Sequence, residues 1–80
     1  MRLKPKYDSN NSTITISCSN NEQLIVTEKI LKAFSYSYEK YSLGNGKYTF
    51  TLKSKSKDDY KIFLNLWKSN IWIEFTSNIL

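Results

Sequence analysis

YSYEKYSLGNGKYTFTLKSK, residues 36–55, holds an Asn45-Gly46 pair between two runs in which aromatic and polar residues alternate. Asn-Gly in this setting is the strongest short-range signal for a β-hairpin, because both central positions of a type I′ turn need positive φ. A two-residue turn pairs Leu43 with Tyr48 and Tyr41 with Phe50, so these four and Leu52 share one face and belong to the core. The same register sends Tyr36, Tyr38 and Lys40 to the opposite face, beside Thr49, Thr51, Lys53 and Lys55. A bulge, or a loop one residue longer, reverses the assignment: Tyr36 and Tyr38 turn inward and Tyr41 turns outward. The two-residue register is the one expected.

Outward from this hairpin, the chain divides into further elements. Residues 1–11 carry Pro5 and the polar cluster Asp8-Ser9-Asn10-Asn11, and read as a basic N-terminal arm leading into a turn. Thr13 to Cys18 alternate strictly, which places Ile14, Ile16 and Cys18 inward on a first strand. Ser19 and Glu22 have the capping-box spacing, so a helix is expected over 21–34, burying Val26, Ile30, Ala33 and Phe34 with Leu24 and Leu31 on its flanks. The competing reading keeps Leu24 to Val26 in a short strand and starts a shorter helix at Thr27. The hairpin supplies strands over 35–43 and 47–54.

Ser56 and Asp59 mark a second helix start, and Tyr60, Phe63, Leu64 and Trp67 recur at helical spacing behind it. Asn70 is the expected stop, and Ile71, Ile73 and Phe75 alternate as the inward residues of a last strand, with Trp72 and Glu74 outward. The order strand, helix, strand, strand, helix, strand predicts a ferredoxin-like βαββαβ two-layer sandwich over residues 12–80. In it a four-stranded antiparallel sheet carries both helices on one face and leaves the other open. No family motif accompanies that order.

Composition narrows the functions available. Eighty residues make one domain with a small core. No apolar run reaches the roughly 18 residues of a membrane span, and the polar stretch after Lys6 lacks the apolar core of a signal peptide, so a soluble, cytoplasmic protein is expected. The chain has one cysteine, Cys18, and no histidine, which removes an internal disulfide, the usual metal-ligand spacings and the commonest general base. Cys18, in an alternating apolar pattern, reads as a small core residue. No cofactor and no metal are expected.

Particular chemistries of this fold class fail on their own residues. An RNA-recognition module stacks bases on aromatics of the two central strands. Here the outward positions there are Thr13, Thr15 and Ser17, and Lys47, Thr49, Thr51 and Lys53. A metal-dependent nuclease needs a carboxylate near the end of the first strand, where this chain has Ser17-Cys18-Ser19; acyl phosphate hydrolysis needs an arginine in the following loop, where it has Asn20-Asn21. Asp58 and Asp59 suit the positive end of a helix dipole better than catalysis. A non-enzymatic protein is expected.

The net charge of +5 favours a polyanionic partner or an acidic protein surface. All the basic residues but Arg2 are lysines, which argues for attraction to phosphate backbones over base-specific readout of a duplex. Two functions follow. One is a module that binds nucleic acid or a nucleoprotein complex through Lys40, Lys47, Lys53 and Lys55, the aromatics Tyr36 and Tyr38, and the arm residues Arg2, Lys4 and Lys6. The plain alternative for those lysines is that they guard an edge strand from unwanted pairing. The other function is a protein-binding inhibitor or homodimer contacting its partner through Trp72, Tyr36 and Tyr38. The richness in Asn, Lys, Ile and Tyr would suit a phage or mobile-element protein of anti-CRISPR type, acting in the host cytoplasm.

Overall fold

The structure, a computed structural model, describes the backbone of residues 3–79 and the side chains of residues 3–71. Six elements follow in order: β1 (Lys6–Asp8), β2 (Thr13–Cys18), α1 (Asn21–Ala33), β3 (Glu39–Gly44), β4 (Lys47–Lys53) and α2 (Lys57–Ile79). The strands form one antiparallel sheet in the order β1-β2-β4-β3. Both helices pack against each other and share one buried cluster with the inward residues of β2 and β4, so the fold is α+β in two layers.

The element order is therefore ββαββα, not the expected βαββαβ. The central strands are those the alternating pattern placed there, Thr13–Cys18 and Lys47–Lys53. The difference lies at the two ends of the chain. Residues 71–76, expected as the last strand, continue α2. The sheet position beside β2 is taken from the N-terminal side by β1, in the register Lys6 to Thr15, Tyr7 to Ile14 and Asp8 to Thr13.

With that edge filled, a C-terminal segment has no strand beside β2 to pair with. A helix satisfies its backbone hydrogen bonds within itself. Asn70, expected to stop the helix, donates from Nδ2 to the Leu66 carbonyl at 2.7 Å, and Ser69 Oγ donates to the Asn65 carbonyl at 2.9 Å. Both side chains are bonded back to i−4 and cap nothing.

The segment read as an arm is seated on the domain. From residue 3 it alternates like a strand, with Leu3 and Pro5 buried and Lys4 and Lys6 exposed. Trp67 Nε1 donates to the Leu3 carbonyl at 3.1 Å and Tyr60 Oη to the Pro5 carbonyl at 3.0 Å, so two aromatic donors of α2 satisfy carbonyls two residues apart. Asp8 then accepts from the backbone N–H groups of Asn10 and Asn11 at 3.0 and 3.4 Å and from Asn11 Nδ2 at 2.7 Å, shaping the turn into β2.

Helix α1 is capped one residue later than the spacing of Ser19 and Glu22 predicts. Asn20 Oδ1 accepts from the Gln23 N–H at 2.9 Å, and Gln23 Oε1 accepts from the Ser19 N–H at 2.8 Å. Its buried residues are Leu24, Val26, Thr27, Ile30 and Leu31, while Ala33 and Phe34 are exposed. Ser35 at φ +58 ends it in a Schellman motif: the Tyr36 N–H donates to the Leu31 carbonyl at 2.9 Å, and the Ser35 N–H to the Lys32 carbonyl at 3.1 Å. That reversal turns Tyr36 back onto the core, where its ring meets Phe63 edge-on at 4.9 Å.

The hairpin keeps its two-residue turn, with Gly44 opposite Lys47 and positive φ at Asn45 (+54) and Gly46 (+76). Gly44 is also left-handed, at φ +84, and the register shifts between Ser42 and Gly44. A bulge at Leu43 results, which reverses the facing of every residue before it. Ser42 pairs with Tyr48, Tyr41 with Thr49, Lys40 with Phe50 and Glu39 with Thr51, in place of the expected Leu43–Tyr48 and Tyr41–Phe50 pairs. Tyr36 and Tyr38 are thus inward, not on the open face, and Tyr41 is outward, 49% exposed. Regular pairing begins at Glu39, not Ser35.

Candidate nucleic-acid interface

The open face is built by the outward residues of all four strands. Its centre is a field of hydroxyls, Thr13, Thr15 and Ser17 on β2 with Thr49 and Thr51 on β4, and their register sets the charges around them. Lys6 lies across Thr15 in the row that continues to Thr51 and Glu39; Lys53 lies across Thr13 from Asp8. Two carboxylates therefore share the face with its lysines. Lys47 is exposed at the hairpin, Lys55 in the connection to α2, and Lys4 beside β1.

The remaining expected site residues are elsewhere. Lys40 is on the core-facing side of β3, not on the open face, and its ammonium lies 3.4 Å from Glu28 Oε1 on α1. Tyr38 is edge-on to Phe50 at 5.4 Å and donates from Oη to Glu28 Oε2 at 2.8 Å. The Tyr38 hydroxyl, followed by Lys40, holds the Glu28 carboxyl below the ordinary glutamate range, while burial and then Glu28 itself push the Tyr38 phenol up. None of Tyr36, Tyr38 and Lys40 is thus on the open face: Tyr36 and Tyr38 pack partly against the core and, with Lys53 and Thr51, line a pocket of about 350 Å³. Tyr41, the aromatic that β3 does turn outward, donates its hydroxyl to Glu39. Arg2 lies outside the described residues, and Trp72 falls within α2 with its side chain outside them.

Aromatic and basic groups come together at the other edge of the sheet. Tyr7 of β1 stacks on Tyr60 of α2, with ring centroids 5.4 Å apart and planes inclined by 21°. These rings, with Pro5, Lys4, Lys6 and Lys57, line an open groove of about 520 Å³. Among the described residues, none of these three lysines forms an ion pair. The hydrogen bond from Tyr60 to the Pro5 carbonyl fixes one wall to the other. A groove with cationic rims and aromatic walls attracts phosphates by charge and offers ring surface to bases.

Lys4 and Lys6, expected on a basic arm, line this groove, and Tyr7, Tyr60 and Lys57 join them there without having been foreseen. The signal for Tyr7 is present in the sequence: Lys6-Tyr7-Asp8, a polar turn and the Thr13 strand have the form of a hairpin. Nothing in the sequence pairs Tyr7 with Tyr60, 53 positions on.

Cys18 is buried, with Sγ 3.4 Å from Thr27 Oγ1, and burial pushes its thiol up, away from the reactive thiolate. Among the described residues, no helix is long and apolar enough to cross a membrane. In comparison with known proteins, no family model, curated protein or solved structure matches this chain.

Proposed function

We propose that this chain is a small non-catalytic binding protein that holds single-stranded nucleic acid in the β1–α2 groove. Lys4, Lys6 and Lys57 contact phosphates there, and Tyr7 and Tyr60 lend ring surface to a base. The supporting observation is the meeting, in one groove, of a stacked tyrosine pair and three lysines that form no ion pair among the described residues. Lys53, Lys55 and Lys47 form the outer rim of the same field and draw the strand in without fixing it. With Arg2 as the lone arginine, recognition is by backbone charge and stacking, with little base discrimination.

The test is titration of a labelled oligothymidylate at several salt concentrations. Binding is expected to weaken steeply with salt. Joint replacement of Lys4, Lys6 and Lys57 by glutamine is expected to lower the slope of log K against log salt by about 2, given roughly 0.7 per phosphate contact on a single strand. A control triple of equal charge change, Lys29→Gln with Lys32→Gln and Lys68→Gln, is expected to keep most of the slope. Equal losses in the two triples, or no binding at low salt, would reject the groove as the site.

A further inference from the structure

We propose that the cleft between the end of β4 and the first two turns of α2 is a second binding site, which takes a zwitterionic α-amino acid with an aliphatic side chain. It shares no lining residue with the β1–α2 groove, and it stands or falls independently of nucleic-acid binding.

The cleft follows from the local sequence. Asp59, Ile62 and Phe63 stand three and four positions apart, so α2 presents them on one face. Leu52, Lys53 and Ser54 at the end of β4 line the same space, and Tyr36, turned back by the Schellman motif, adds a wall. The cavity is about 170 Å³, below the roughly 300 Å³ at which drug-sized ligands begin to fit, so its occupant is small. Ile14, Leu52 and Phe63 are buried and make its lining apolar, while Ile62, 59% exposed, offers an aliphatic side chain to whatever enters. Tyr36 and Lys53 also line the pocket of about 350 Å³, so the two spaces adjoin.

Opposite charges stand in this cleft unpaired. Asp59 and Lys53 both line it, yet no ion pair joins them, and among the described residues neither forms one elsewhere. Asp59 donates its backbone N–H to Ser56 Oγ at 3.2 Å, which leaves its carboxylate for a ligand. Burial, and then the Asp59 charge, push the Tyr36 phenol up, so the field of that carboxylate reaches the cleft wall. Ser54, 2% exposed, donates its hydroxyl to the Ser56 carbonyl at 3.0 Å, and its oxygen can still accept.

Lys53 supplies the donor side. The Ser54 N–H donates to the Ser12 carbonyl at 2.8 Å, toward β2, so strand alternation turns the Lys53 N–H the other way, toward residues 36–38. Pairing with β3 begins only at Glu39 opposite Thr51, and among the described residues no backbone hydrogen bond joins Lys53 to residues 36–38. That N–H, with the Lys53 ammonium, suits a carboxylate. An α-amino acid matches these features together: its ammonium meets Asp59 and Ser54 Oγ, its carboxylate meets Lys53, and its side chain covers the apolar lining beside Ile62. A simple anion would face the Asp59 carboxylate, and a simple cation would face Lys53.

Chemical-shift titration of the isotope-labelled chain with L-leucine tests this. The amide signals of Lys53, Ser54 and Ile62 are expected to move. Leucinamide and N-acetyl-leucine, each lacking one charge, should bind at least about tenfold more weakly, and so should glycine, which lacks the side chain. Asp59→Asn is expected to lower L-leucine affinity at least about tenfold, whereas Asp58→Asn, the same change one residue earlier and outside the cleft lining, should leave it unchanged. No shift with L-leucine would overturn the proposal. So would an equal response to N-acetyl-leucine, which marks a plain anion site, an equal response to leucinamide, which marks a plain cation site, or equal losses in the two aspartate variants.

Discussion

Glu28 ties three parts of the fold together through one carboxylate: it sits on α1 and accepts from the Tyr38 hydroxyl and the Lys40 ammonium. Because the native carboxyl is held below the ordinary range, folding favours its ionised form. Its contribution is fully present above the unfolded value of about 4.3 and is lost as pH falls through the lower native value. Tyr38→Phe removes the principal cause of that shift and is expected to cost about 1 kcal/mol at neutral pH, at the lower end for a bond to a charged group because the site is partly exposed. Acid titrations of unfolding should show the gap between wild type and Tyr38→Phe narrowing below about pH 4. A gap that stays constant into acid would mean the bond to Glu28 is not what Tyr38 contributes. This role escaped the sequence because Tyr38 and Glu28 are related only through a register that one bulged residue decides.

At the scale of the element, the hairpin shows how one backbone position redirects a whole strand. Asn45-Gly46 is legible because a type I′ turn demands it, and the structure has that turn. Gly44 was equally visible, but its second role, a left-handed residue beside the turn, depends on whether the sheet gains by shifting. The shift brings Tyr38 onto Phe50 and Lys40 to Glu28, and those gains come from outside the hairpin. A Cβ at Gly44 would meet nothing within 4 Å, so the cost of Gly44→Ala is one of backbone alone. It is expected at about 1–2 kcal/mol, the penalty of a left-handed L-residue. Gly44→Asn should cost less, since asparagine tolerates that region. Denaturant midpoints rank the three, and equal stability of Gly44→Ala and wild type would mean that the left-handed bulge is not kept in solution. Helix α2 carries the same lesson: the alternation of Ile71, Ile73 and Phe75 suited a strand, but the place beside β2 that such a strand was expected to fill is taken by β1, and the segment continues the helix.

For the whole molecule, the N-terminal strand completes the fold. Leu3 and Pro5 cover the buried Trp67 side of α2, and the carbonyls of both accept from α2 aromatics. Removal of residues 1–8 would uncover Leu3's packing site, leave the Trp67 indole N–H without its acceptor and open the edge of β2. A loss of at least about 3 kcal/mol is expected from the first two effects together. A large fall in the denaturant midpoint, with self-association through the bared β2 edge, is the outcome that would support this. A truncated chain as stable and monodisperse as the full one would show that β1 adds little. The same strand carries Lys4, Lys6 and Tyr7, so the proposed groove and the stability of the domain share residues.

Local rules sufficed for what lies close in the chain. Strict alternation marked Thr13–Cys18 and Lys47–Lys53 as the two central strands, helical spacing marked both helices, and Asn45-Gly46 marked the turn. Each of these is set by side-chain periodicity or by φ preference within a few residues. Tertiary structure alone decided which segment fills the edge beside β2, which way β3 faces, and that Tyr7 meets Tyr60. Those outcomes compare distant segments competing for the same backbone partners and the same buried surface, and such a comparison exists only once the whole chain has folded.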